Sequence, residues 1–139
     1  MTAAGQMGLF AAPRRPAPAL TIRQPFASLI ISAIKRVENR GWSTSYRGPL
    51  LIHAGKGIDK DAMATHGHLL DGEYPAGAII GLVDLIDCVQ DSDSEWAEPD
   101  SFHWVLANAR ALREPVPAKG QLGLWTLDDE TARLAGEML

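Results

Sequence analysis

A single cysteine, Cys88, stands among 139 residues. It excludes an internal disulfide partner and any structural zinc site built on several thiolates, and it fits a reducing compartment. Long hydrophobic runs are also missing. The most apolar stretch, residues 76–83, is interrupted by Gly77 and Gly81 and followed by Asp84, well short of the ~20 residues a spanning helix needs, so no membrane association is expected. The N-terminus carries Arg14 and Arg15 behind a short, weakly apolar stretch. That reverses the basic-then-apolar order of a signal peptide, and a cytoplasmic location is the expectation. What remains is ordinary: 46% hydrophobic and 22% charged residues describe a globular chain rather than a disordered one, and the length suits one domain around one core.

The net charge of -4 conceals an asymmetry. Residues 1–60 hold nine Lys or Arg against Glu38 and Asp59, a net of +7; residues 61–139 hold four against fifteen acids, a net of -11. Because screening confines each field to roughly 8 Å at physiological salt, a local basic surface can attract phosphate although the whole molecule repels it. Composition therefore leaves nucleic acid open as a partner.

Residues 1–18, rich in Ala, Gly and Pro, read as a disordered tail, because Pro13, Pro16 and Pro18 interrupt any helix or ladder; residues 19–139 read as a single domain. Within it, the pattern predicts strands at 19–22, 36–40, 50–54, 78–89, 103–112 and 123–126. Gly55 and Gly57 are expected to end the third of these, and Pro115 and Pro117 to bound a turn after the fifth. Helices are predicted at 25–33, 59–70 with Asp59 as N-cap, and 128–138. Phe26, Leu29, Ile30 and Ala33 recur at helical spacing and Ile34 continues the stripe, so the first helix should pack on the sheet. Residues 90–101, with five acids around a solitary Trp96, read as an exposed loop. Short strands with glycines at bends and few helices point to an α+β fold, a small mixed β-barrel with two or three flanking helices.

Three stretches carry a resemblance: Ile22-Arg23-Gln24-Pro25-Phe26-Ala27-Ser28-Leu29-Ile30, Lys35-Arg36-Val37-Glu38-Asn39-Arg40-Gly41-Trp42 and Tyr46-Arg47-Gly48-Pro49-Leu50-Leu51-Ile52-His53-Ala54. Together they resemble the ASCH domain (activating signal cointegrator homology), a PUA-like β-barrel family. Its signature, Gly-x-Lys-x-x-Glu-x-Arg, reads here Ala33-x-Lys35-x-x-Glu38-x-Arg40. Where the signature glycine would end the helix in left-handed geometry, Ala33 implies a different cap or an ordinary helical conformation. The resemblance implies a cleft, lined by the signature, suited to RNA or a nucleotide.

The residues are compatible with that implication. Lys35, Arg36, Arg40 and Arg47, with Arg23 and Lys56 nearby, offer phosphate donors; Glu38 and Asn39 offer polar groups for a base edge; Trp42 and Tyr46 offer stacking faces. Strand parity puts Glu38 and Arg40 on one face, and Lys35 joins them only from a turn, so an ion pair between Lys35 and Glu38 is expected, structural, functional or both. Trp42 and Tyr46 are read either as stacking groups or as rim aromatics, Trp104 and Trp125 as core, Trp96 as a lid or a loop anchor, and His53 as a structural histidine. His66 and His68 lack a third ligand, and Gly55-Lys56-Gly57 lacks the spacing of a P-loop, so neither metal nor cofactor is expected.

The leading reading is a module binding single-stranded RNA or a modified nucleotide. The alternative is a small metal-independent hydrolase: a ribonuclease using Lys35, Arg40 or Lys56 with Tyr46, Glu38 or His53 moving the proton, or an amidohydrolase on acetylated cytidine. By resemblance the amidohydrolase uses a lysine and a threonine three residues on, and Glu38 occupies that threonine position. No feature identifies a protein partner.

Overall fold

The computed structural model describes residues 17–72 and 74–139; the tail expected at 1–18 lies, up to residue 16, outside the described residues. Six strands form one mixed sheet: β1 (Ala19–Gln24), β2 (Val37–Arg40), β3 (Gly48–Ile58), β4 (Ala78–Val89), β5 (Phe102–Pro117) and β6 (Leu124–Trp125). Their order across the sheet is β2-β5-β4-β3-β1-β6. The β1–β3 pair is parallel and every other pair antiparallel. The sheet curls into a half-barrel flanked by α1 (Phe26–Ile31), α2 (Lys60–His66) and α3 (Asp129–Glu137), an α+β architecture of PUA-like type. None of the described helices is long and apolar enough to cross a membrane.

Strand alternation gives the sheet two apolar faces. Leu20, Ile22, Leu50, Ile52, Val83, Leu85, Trp104 and Leu106 pack with Ala27 and Ile30 of α1 on one side. Ala19, Leu51, Ile79, Leu82, Leu112, Val116 and Trp125 pack with Leu127, just before α3, and Ala135, within it, on the other. Full burial of each large aliphatic side chain contributes about 1.5–3 kcal/mol, so both helices are held by packing rather than by intrinsic propensity. Gly81 marks how close α1 lies to the sheet: a Cβ there would stand 2.5 Å from Ile31 Cδ1 and 2.6 Å from the Arg110 carbonyl oxygen.

Several strand ends differ from the sequence expectation. β3 does not stop at Gly55 and Gly57 but runs through them to Ile58. Thr21 and Arg23 of β1 lie across those two positions, the Thr21 methyl 3.1 Å from where a Gly55 Cβ would stand, so the glycines admit neighbouring side chains instead of ending the strand. β5 likewise continues through Pro115 and Pro117, with Val116 paired to Ile79 and Pro117 to Ala78. Between the Ala111–Gly81 and Val116–Ile79 pairs, residues 112–115 face the single residue Ile80. Pro115 thus sits in a wide bulge, where the N–H it lacks has no ladder partner to miss. The third expected helix forms, with Asp128 capping it, while the second stops at His66 and tightens into a 3-10 turn over Gly67–Leu69.

The first helix is shorter than its apolar stripe implies. Gln24, fully buried, accepts from the Ser28 N–H at 3.0 Å and donates to Ser28 Oγ at 2.8 Å and to the Pro75 carbonyl at 3.0 Å, tying the helix start to a distant loop; the Gln24–Pro25 peptide is cis. At the other end the Ala33 N–H donates to Ile30 O and the Ile34 N–H to Leu29 O, both at 3.0 Å, the paired bonds of a Schellman motif. Ala33 occupies its left-handed position at φ 64°. Neither expected alternative holds: Ala33 takes the glycine conformation itself. Ile34, beyond the turn, is exposed rather than part of the core stripe.

Candidate nucleic-acid interface

That turn delivers Lys35 to the site. Its own N–H is a second donor to Leu29 O, and the side chain runs inward, 3% exposed, just before β2 begins. Lys35 Nζ donates to the Val37 carbonyl and, at 3.0 Å, to Glu38 Oε1, and lies 5.4 Å from the centre of the Phe26 ring. Glu38 Oε2 accepts from Arg40 Nε at 3.1 Å. Arg40 Nη2 stands 3.0 Å from the same oxygen and donates to the Thr21 carbonyl at 2.9 Å, tying β2 to β1, which lie at opposite sides of the sheet. One carboxylate therefore orients two cations. Lys35 is spent on that pair and on the backbone, whereas Arg40, 23% exposed, keeps Nη1 without a partner among the described residues.

These residues line an open cleft of about 830 Å³, inside the ~300–1,000 Å³ range of small-molecule sites. Arg23, Lys35, Glu38, Asn39, Arg40 and Trp42 lie along it. Trp42 is 39% exposed and held in place: its ring meets Trp104 edge-on at 4.8 Å, and its carbonyl accepts from Trp104 Nε1 at 3.2 Å. Trp104 itself is core, as is Trp125.

Tyr46, Arg47 and Lys56 are absent from this lining. The Tyr46 hydroxyl donates to the Pro49 carbonyl, and burial, followed by the charge of Asp84, pushes its phenol above the ordinary range. Arg47 faces Asp87 at 3.7 Å, and the Lys56 stem lies along Gly77. His53 is enclosed at 1% exposure on the opposite face, hydrogen-bonded at 2.7 Å to the Ala118 carbonyl and edge-on to Trp125.

The opposite wall comes from residues that local sequence did not connect to the site. Trp96, in the acidic loop, packs on His66 of α2 with ring centres 4.8 Å apart, and both line the cleft with Glu95, Ala97 and Glu98. Asn39 fixes this wall from β2: its Nδ2 donates to Trp96 O at 2.9 Å and its Oδ1 accepts from the Glu98 N–H at 3.0 Å. His103 Nδ1 accepts from the Ser92 N–H at 3.1 Å, which leaves Nε2 as the donor to Glu98 O at 2.7 Å and assigns a neutral ring. Trp96 thus anchors the loop and walls the cleft at once. A solitary tryptophan in a polar loop was the available signal; nothing in the sequence paired it with His66.

The curled half-barrel of six strands with its three helices has the PUA-like α+β fold, a fold associated with RNA binding. The ASCH domain model matches residues 20–116, and the chain belongs to the ASCH domain family. It is 36% identical over 130 residues to activating signal cointegrator 1 of Mus musculus and 34% identical to that of Homo sapiens, covering 80% of this chain in each case. The chain spans 22% of the length of either relative. Among solved structures, ASCH from Zymomonas mobilis aligns over 90% of this chain and 96% of its own, with a TM-score of 0.58 at 15% identity. A mutant form of that protein aligns over 89% and 99%, with a TM-score of 0.59 at 15% identity.

Proposed function

We propose that the cleft binds single-stranded RNA or a modified nucleotide, with a base stacked on the exposed face of Trp42 and an anionic or carbonyl oxygen taken by Arg40. The observation that carries this reading is the division of labour around Glu38. The carboxylate neutralises Lys35 and holds the Arg40 guanidinium rigid beside a fixed tryptophan, so little side-chain entropy remains to be lost on binding. Stacking of one base is worth about 1–3 kcal/mol, and each phosphate contact adds a salt-dependent increment. Lys35 acts in this reading as the group that positions Glu38, not as a ligand contact. Of the groups that the hydrolase alternative needs for proton transfer, Lys35 and Glu38 line the cleft and are engaged with one another, while Tyr46 and His53 lie elsewhere; the balance favours binding without chemistry.

The test is incubation of labelled single-stranded RNA with the protein in EDTA. Retention of intact RNA that weakens as salt rises is expected; metal-independent fragments would favour the ribonuclease. Trp42→Ala is expected to weaken binding by roughly 5- to 150-fold, the equivalent of one lost stack. Arg40→Ala should weaken it too and flatten the salt dependence. Unchanged affinity in both folded variants would overturn the reading.

A further inference from the structure

The cleft is not a basic groove. Its charged lining consists of Arg23, Lys35 and Arg40 against Glu38, Glu95 and Glu98. Glu38 and Lys35 cancel within one ion pair. Arg40 and the outlying Arg23, 4.0 Å from Asp59, are left facing two exposed carboxylates, Glu95 and Glu98. The wall that carries those carboxylates also exposes Asp91, Asp93 and Asp100. It is pinned in place by Asn39, by the neutral His103 and by the His66–Trp96 contact. The basic first half of the sequence and its acidic second half meet across this opening.

Resting on the RNA reading above, we propose that Glu95 and Glu98 are specificity-determining residues that exclude a continuous phosphate backbone, so that the cleft takes one nucleotide unit: a terminal or unstacked residue of a strand, or a free nucleotide. A backbone threading the opening would bring successive phosphates past Glu95 and Glu98 with only Arg40 and the outlying Arg23 to answer them, and like charges brought within a screening length repel. A single base with its own phosphate meets the aromatic faces and Arg40 and leaves the carboxylates to water or to an exocyclic amine, which they can accept from.

The experiment compares a mixture of the four ribonucleoside 5′-monophosphates with a mixed-sequence single-stranded RNA of about ten nucleotides, titrated against the natural chain and the Glu95→Gln/Glu98→Gln variant across a salt series. At ~0.7 per phosphate contact, two accessible cations limit the natural chain to a slope of about -1.4 in log affinity against log salt for the ten-nucleotide RNA. The variant is expected to bind that RNA about fivefold more tightly at low salt and with a steeper slope; both substitutions are of exposed side chains and leave the fold intact. A slope near -3 or steeper in the natural chain, or an affinity and slope that the variant leaves unchanged, overturns the exclusion while mononucleotide binding keeps the RNA reading standing. Failure of both probes to bind either protein removes that reading, and the exclusion with it.

Discussion

Glu38→Gln offers the sharpest physical test of the site, because the variant keeps the side-chain shape and removes one charge. In the natural chain the Lys35 ammonium, 3% exposed, has one carboxylate partner at 3.0 Å, the Val37 carbonyl and the Phe26 ring. At an effective dielectric of about 20, a pair at that distance attracts by roughly 5–6 kcal/mol, against a desolvation cost of several kcal/mol for each ion. Glutamine leaves the ammonium buried with no anion, and breaking a buried pair from one side costs about 3–5 kcal/mol. The reverse change, Lys35→Met, is not symmetrical. Glu38 then retains Arg40 through Nε at 3.1 Å and Nη2 at 3.0 Å, and the main loss is the donor to the Val37 carbonyl, about 1–2 kcal/mol. Urea unfolding of the two single variants and the double variant, with the m-value as a check on two-state behaviour, reads these terms directly. Glu38→Gln is expected to cost about 1–4 kcal/mol more than Lys35→Met, and the double variant to cost less than the sum of the singles, because removing Lys35 also removes the stranded charge. Equal costs for the two singles, or strict additivity, would refute the claim that one carboxylate holds two cations in a coupled unit.

Two further perturbations act away from the cleft mouth. Ala33→Gly should stabilise the fold: a left-handed Ala costs roughly 1–2 kcal/mol, of which the greater unfolded-state freedom of glycine returns about half, leaving ~0.5–1 kcal/mol and a rise in Tm of about 2–4 °C by calorimetry; a lower Tm would mean that the turn is not held at φ 64°. Asp128 caps α3 by accepting from the Thr131 N–H at 2.7 Å, a bond that holds its carboxyl below the ordinary aspartate range. With the folded value depressed, its contribution is complete above about pH 4 and fades as pH falls through the folded value. Asp128→Asn, which caps without titrating, should therefore lose less stability than the natural chain between neutral and about pH 2.5 in urea unfolding, and identical acid losses would show that the cap does not contribute.

How much of this was legible in advance depended on the range of the interaction concerned. The strand and helix succession followed from apolar periodicity. The expected approach of Lys35 to Glu38 needed only the parity of a short strand and a preceding turn, and the structure brings the two to 3.0 Å. Misread features were those where a neighbouring strand decides. Gly55 and Gly57 look like strand breakers until Thr21 and Arg23 are laid across them, and Pro115 looks like a turn until the bulge opposite Ile80 frees it from a ladder bond. Ala33 adopts a conformation that its residue type disfavours because Leu29 and Ile30 carbonyls and the packing of α1 determine where the chain must turn.

By itself the sequence determined the α+β class, the succession of strands and helices, the family signature and the opposed charges of its halves. Each of these is set by residue type and by spacings of a few residues. Only the tertiary structure decided which groups share the cleft: it separated Tyr46, Arg47 and Lys56 from Arg40 and Trp42, and it brought His66, Trp96, Glu95 and Glu98 to face them. The reason is that membership of a concave site depends on which way each strand presents its side chains and on how far the sheet curls. Both are set by packing between segments dozens of residues apart, which no local pattern records.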